Sequence, residues 1–93
     1  MIGKFDGVPV EEDTNILFQQ VANFGDYEVL YQKWVWDGIT AESIIFDSKD
    51  VHKLSDDEVL EEVKSSPLLK LDTQITIKRT DDGYTFVNFN FEN

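Results

Sequence analysis

Residues 26–47 read DYEVLYQKWVWDGITAESIIFD, and this stretch decides the fold. Its first half alternates Tyr27, Val29, Tyr31, Lys33 and Val35 with Glu28, Leu30, Gln32, Trp34 and Trp36. β-Branched and aromatic side chains at a period of two specify a strand. Both faces are largely apolar, so the strand is expected to be covered on one side and to hold something on the other. Asp37-Gly38 is the pair that a two-residue hairpin turn demands, and ITAESIIFD then returns antiparallel.

Working outward, EEDTNILFQQVANFG (residues 11–25) reads as a helix. Asp13 is a suitable N-cap, Ile16, Leu17, Val21 and Phe24 share a helical face, and Gly25 supplies a left-handed stop. Glu11 and Glu12 would sit at its positive dipole end. The lead-in MIGKFDGVPV reads as a short strand or an irregular segment, since Pro9 suits no central strand. On the other side, Ser55 and Glu58 spell a capping box, flanked by Leu54 and Val59 as a hydrophobic staple. Leu60 and Val63 continue the apolar stripe to Ser65-Ser66-Pro67. TQITIKRT and YTFVNFNF form a second hairpin around Asp81, Asp82 and Gly83, and Thr85, Val87, Phe89 and Phe91 make an apolar row on its last strand.

The expected order is β-α-β-β-α-β-β in one domain over residues 1–93: an α+β fold with a mainly antiparallel sheet of four to five strands and two helices. Strand order is left open, with the closing strand a candidate sheet edge.

Composition narrows the function. Twelve aromatics and 41% apolar residues can fill a core, which a disordered acidic chain cannot do. The absence of cysteine removes disulfides and thiolate chemistry and suits a reducing compartment such as the cytoplasm. Apolar runs are far too short for a membrane span, and the N-terminal residues lack a leader pattern. A net charge of −11 repels nucleic acid and anionic lipid and speeds encounter with basic surfaces.

Catalytic constellations are poor, so an enzyme is not expected. His52 is the lone histidine, and the five glycines are scattered at turns and cradle no phosphate. DSKD (residues 47–50) and DDG (residues 81–83) resemble fragments of calcium loops but complete no such pattern, so neither a metal nor a cofactor is expected.

The charge points instead to a partner. SDDEVLEEVK (residues 55–64) holds five acids and one base. Helix capping and the dipole account for Asp56, Asp57 and Glu58. Glu61 and Glu62 extend like-charged i, i+4 pairs with Asp57 and Glu58, a pattern that costs stability and suits a basic partner. Tyr31, Trp34 and Trp36, with Asp37 beside them, have the residue types of binding hot spots. The candidate partner-binding residues are therefore Asp57, Glu58, Glu61, Glu62, Tyr31, Trp34, Trp36, Asp37, Asp81 and Asp82.

In size, charge and architecture the chain is comparable to small acidic inhibitors: phage antirestriction and anti-CRISPR proteins, inhibitors of DNA repair enzymes, and immunity proteins of nuclease toxins. No family motif carries individual residues across. The expected function is inhibition of a basic, nucleic-acid-handling protein by a DNA mimic that itself binds no nucleic acid. The alternative is a non-inhibitory binding module or assembly subunit using an aromatic face or a sheet edge.

Overall fold

The computed structural model describes Phe5, residues 7–9 and residues 13–93. Five strands form one antiparallel sheet: β1 (Thr14–Phe24), β2 (Tyr27–Trp36), β3 (Ile39–Phe46), β4 (Thr76–Arg79) and β5 (Thr85–Glu92). Two helices, α1 (Lys49–His52) and α2 (Asp56–Val63), lie between β3 and β4. The sheet order is β1-β2-β3-β5-β4. The α+β class, the antiparallel sheet and the helix count are as the sequence implies.

The placement of one helix is not. Residues 14–24 form an edge strand paired with β2 from Thr14↔Trp36 to Phe24↔Tyr27. Asp13 is no N-cap; it holds a positive φ of 67° just before the strand. Gly25 (φ 59°) ends no helix and opens the two-residue turn to β2, the position that glycine serves in a II′ hairpin turn. The helical spacing misleads because a register shift between Ile16 and Phe18 sets Leu17 apart as an extra residue. That bulge breaks the period of two and bunches three apolar residues together. Pairing along the whole length of β2 outweighs the local pattern. The expected lead-in strand, with Glu11 and Glu12, lies mostly outside the described residues.

Asp37 (φ 50°) and Gly38 (φ 78°) both have positive φ, as a I′ turn requires. The β4–β5 loop is the three-residue kind, closed by Thr80 N–H to the Tyr84 oxygen at 3.0 Å, with Gly83 at φ 96°. β5 is not an edge strand, because β4 covers its outer side.

The main core lies between sheet and helices: Val29, Ile44, Phe46, Val87 and Phe89 from the strands meet Val51 of α1 and Val59 and Val63 of α2. Leu54 packs against the same cluster, the place its staple role requires. On the opposite face Phe5, Leu30 and Ile45 form a smaller buried cluster with Val8, Tyr84 and Phe86. β2 is thus lined by apolar groups on both sides, and Leu30 and Val29 are both buried.

Phe91 leaves the row of Thr85, Val87 and Phe89. Asn90 takes a φ of 56° and the β3–β5 register shifts there. The strand rotates, and Phe91 packs edge-on against Trp34 with centroids 6.3 Å apart.

Candidate functional site

The expected binding residues divide between the two faces of the sheet. On the helix face, Ser55 caps α2: its Oγ accepts the Glu58 N–H at 3.2 Å, and Glu58 Oε1 accepts the Ser55 N–H at 3.1 Å. The Ser55 backbone N–H first, and the Ser55 hydroxyl second, hold the Glu58 carboxyl below its ordinary value. Val59 and Val63 point into the core, which turns Asp57, Glu58, Glu61 and Glu62 to solvent. Lys64 neutralises Glu61 in part, at 2.7 Å between two well-exposed side chains. Asp57 and Glu62 contact no cation among the described residues.

Two contacts tie the start of α2 to the β4–β5 loop. Arg79 donates to Asp56 Oδ1 at 2.5 Å and to the Leu54 carbonyl. His52 Nε2 lies 3.1 Å from the Thr80 carbonyl, so the lone histidine is a structural tie. Asp81 and Asp82, exposed at the loop tip, are thereby held at the same end of the molecule as Asp56 and Asp57. The exposed acids of the loop tip and of α2 together make this side of the molecule an acidic surface, with Arg79 and His52 between loop and helix. Among the described residues no three acids or histidines lie close enough together to hold a metal ion.

Asp37 does not join that surface. It sits in the β2–β3 turn at the other end of the strands, where its backbone conformation accounts for it. Tyr31 faces the helix side, but its hydroxyl is engaged, donating to Glu42 Oε1 at 2.5 Å. Burial, then the hydrogen bond and charge of Glu42, push this phenol from 10.0 up to about 12. The raised value means that Tyr31 favours the folded state below pH 10, and that this contribution is lost as pH rises through about 12. In an ultraviolet absorbance titration of the folded protein, one tyrosine should ionise near pH 12, and Tyr31→Phe should remove that step. Persistence of the step in the variant would assign it to another tyrosine.

Trp34 and Trp36 lie on the opposite face, beside a cavity of about 350 Å³. Its apolar walls include Ile16, Ile39, Phe86 and Phe91. Its floor belongs to a polar row in register across all five strands: Gln19, Gln32, Ser43, Asn88 and Thr76. Gln32 donates to Gln19 at 3.1 Å, Ser43 to Asn88 at 2.5 Å, and Asn88 to Thr76 at 3.2 Å. Trp34 Nε1 donates to Ser43 Oγ at 2.7 Å, which fixes the indole over the row. Trp36 remains 45% exposed at the rim.

The sequence reading did not single out Gln32, Ser43 or Asn88. The available signal was a polar residue at an inward position of each of three neighbouring, otherwise apolar strands. The described lining of the cavity contains no carboxylate, and Lys78 is its one charged side chain. In a chain of net charge −11, the two surfaces are electrostatically unlike.

No protein-family model, no curated protein and no solved structure matches the chain. Among the described residues no helix is long and apolar enough to cross a membrane.

Proposed function

We propose that this chain is a small acidic inhibitor that binds a basic, nucleic-acid-handling protein and occupies the groove meant for nucleic acid. The observation that carries the reading is the acidic surface of α2 and the β4–β5 loop, where Asp57, Glu62, Asp81 and Asp82 have no cation against them among the described residues. Carboxylates one turn apart on α2 advance about 6 Å, comparable with two phosphate steps of about 3.4 Å along a duplex strand. Charge draws the partners together and sets their orientation, and contacts at close range then slow dissociation. No bond is made or broken.

The test is retention of proteins from a nucleic-acid-free lysate on the immobilised chain, followed by elution with duplex DNA. A basic DNA-binding protein released by DNA and by rising salt supports the reading. If retained proteins resist both, the acidic surface is not the binding surface.

A second reading rests on the Trp34–Trp36 cavity, whose largely apolar and aromatic lining, with Lys78 its one charged side chain, suits a contact that owes little to charge. The chain would then be a non-inhibitory binding module, and binding through that face would change little with salt.

A further inference from the structure

The two edges of the sheet are treated differently by the sequence. β4 is a short edge, Thr76–Arg79, that carries Lys78 and Arg79. Short length and positive charge are common protections against strand-to-strand association. β1, the other edge, runs eleven residues from Thr14 to Phe24 and pairs only with β2 among the described residues. It contains no charged residue, no proline and no glycine, although 29% of the chain is charged. Leu17 is 56% exposed, Phe18 49% and Val21 42%. A long, uncharged edge with exposed apolar groups is a template for another strand; the bulge at Leu17 is its one protection.

We propose that β1 pairs antiparallel with β1 of a second copy of this chain, joining two five-stranded sheets into one. Charge selects this occupant. Two molecules of net charge −11 repel each other, and they can meet only through a surface that keeps the acids apart. β1 itself carries no charge, the acidic loop lies between β4 and β5 at the far side of the sheet order, and the acids that flank the strand, Asp13 and Asp26, fall outside a pairing of residues 18–24. The strand also complements itself. Past the bulge, a two-fold axis through Val21 pairs residues 18–24 of the two copies, setting Val21 against Val21, Gln19 against Asn23 and Phe18 against Phe24, each pair on one face of the sheet. One strand edge buries less than the roughly 1,200 Å² of a standard interface, so the pair is a weak, concentration-dependent dimer.

Salt separates this pairing from the charge-led binding proposed above. Screening weakens attraction to a basic partner but relieves repulsion between two acidic copies, so self-pairing strengthens as salt rises. The test is sedimentation velocity of the whole chain at low and high salt, over concentrations from about 5 µM to about 500 µM. The expected mass climbs from 10.8 kDa toward twice that value, and further at high salt. Leu17→Lys/Val21→Lys should weaken association at least tenfold with an unchanged circular dichroism spectrum, although it lowers the net negative charge. Amides of β1 should exchange more slowly with rising concentration in the original chain only. A mass of 10.8 kDa throughout, growth past the dimer, or a variant that associates like the original chain would overturn the pairing.

Discussion

Replacing Asn90 with leucine should lower stability by about 4 kcal/mol, a fall in melting temperature of roughly 20 °C for a domain of this size. The side chain is buried at 5% exposure and joins three parts of the fold. Its Nδ2 donates to Glu42 Oε2 at 2.7 Å and to the Leu68 carbonyl at 2.8 Å, while its Oδ1 accepts the Lys70 N–H at 2.8 Å. Its backbone N–H donates to Thr73 Oγ1 at 2.6 Å. Leucine would fill the space and keep the backbone bond to Thr73, but leave Glu42 Oε2, the Leu68 carbonyl and the Lys70 N–H without their partner. It would also have to hold a φ of 56°, which asparagine tolerates better than branched apolar residues. Calorimetry of the two proteins measures the effect. A loss under about 1 kcal/mol would mean that residues 66–73 are fixed by other contacts.

The second large effect concerns binding. Asp57→Lys/Glu61→Lys/Glu62→Lys moves the net charge by six, from −11 to −5, and reverses the centre of the acidic surface. Glu58 is left alone because its carboxylate closes the capping box with Ser55. All three substituted side chains are exposed, so folding should change little. At about 1 kcal/mol for each reversed contact, affinity for the basic partner should fall roughly 100-fold. Isothermal titration against the DNA-eluted partner measures it, with thermal unfolding as the control. Affinity within twofold of the original would make α2 a solvated face with no part in binding.

Legibility of the fold followed the reach of the interactions. The β2–β3 hairpin and the capped α2 are specified within a few residues, by Asp37-Gly38 and by Ser55 with Glu58 and Leu54, and both are present. α1 is short, and its cap, Ser48, accepts the Asp50 and Val51 N–H groups through a local signal that the four-residue helix is too brief to repeat. β1 reads as a helix because its bulge imitates a helical spacing and because its fate is set by pairing with β2, a contact no window within residues 11–25 contains. Phe91 departs from its expected row for a similar reason: the positive φ at Asn90 depends on Glu42, Leu68 and Lys70, all distant in sequence.

For the candidate site, the exposure of Asp57, Glu58, Glu61 and Glu62 follows from the helical period once Val59 and Val63 are buried. The union of α2 with Asp81 and Asp82 depends on Arg79 and His52, which no local pattern announces. Nor does periodicity reveal that Trp34 and Trp36 lie on the face away from α2, or that Gln32, Ser43 and Asn88 meet in one row. Register across strands settles both.

The central claim is that the acidic surface takes the place of nucleic acid, and displacement measures that directly. The DNA-eluted partner is bound to fluorescently labelled duplex DNA, and this chain is titrated in while anisotropy is followed. The expected result is complete release of the DNA, with an apparent affinity that falls steeply as salt rises and a triple-lysine variant that releases little. Anisotropy that stays high while the chain demonstrably binds would mean that protein and DNA occupy separate surfaces of the partner, and the claim of mimicry would be wrong.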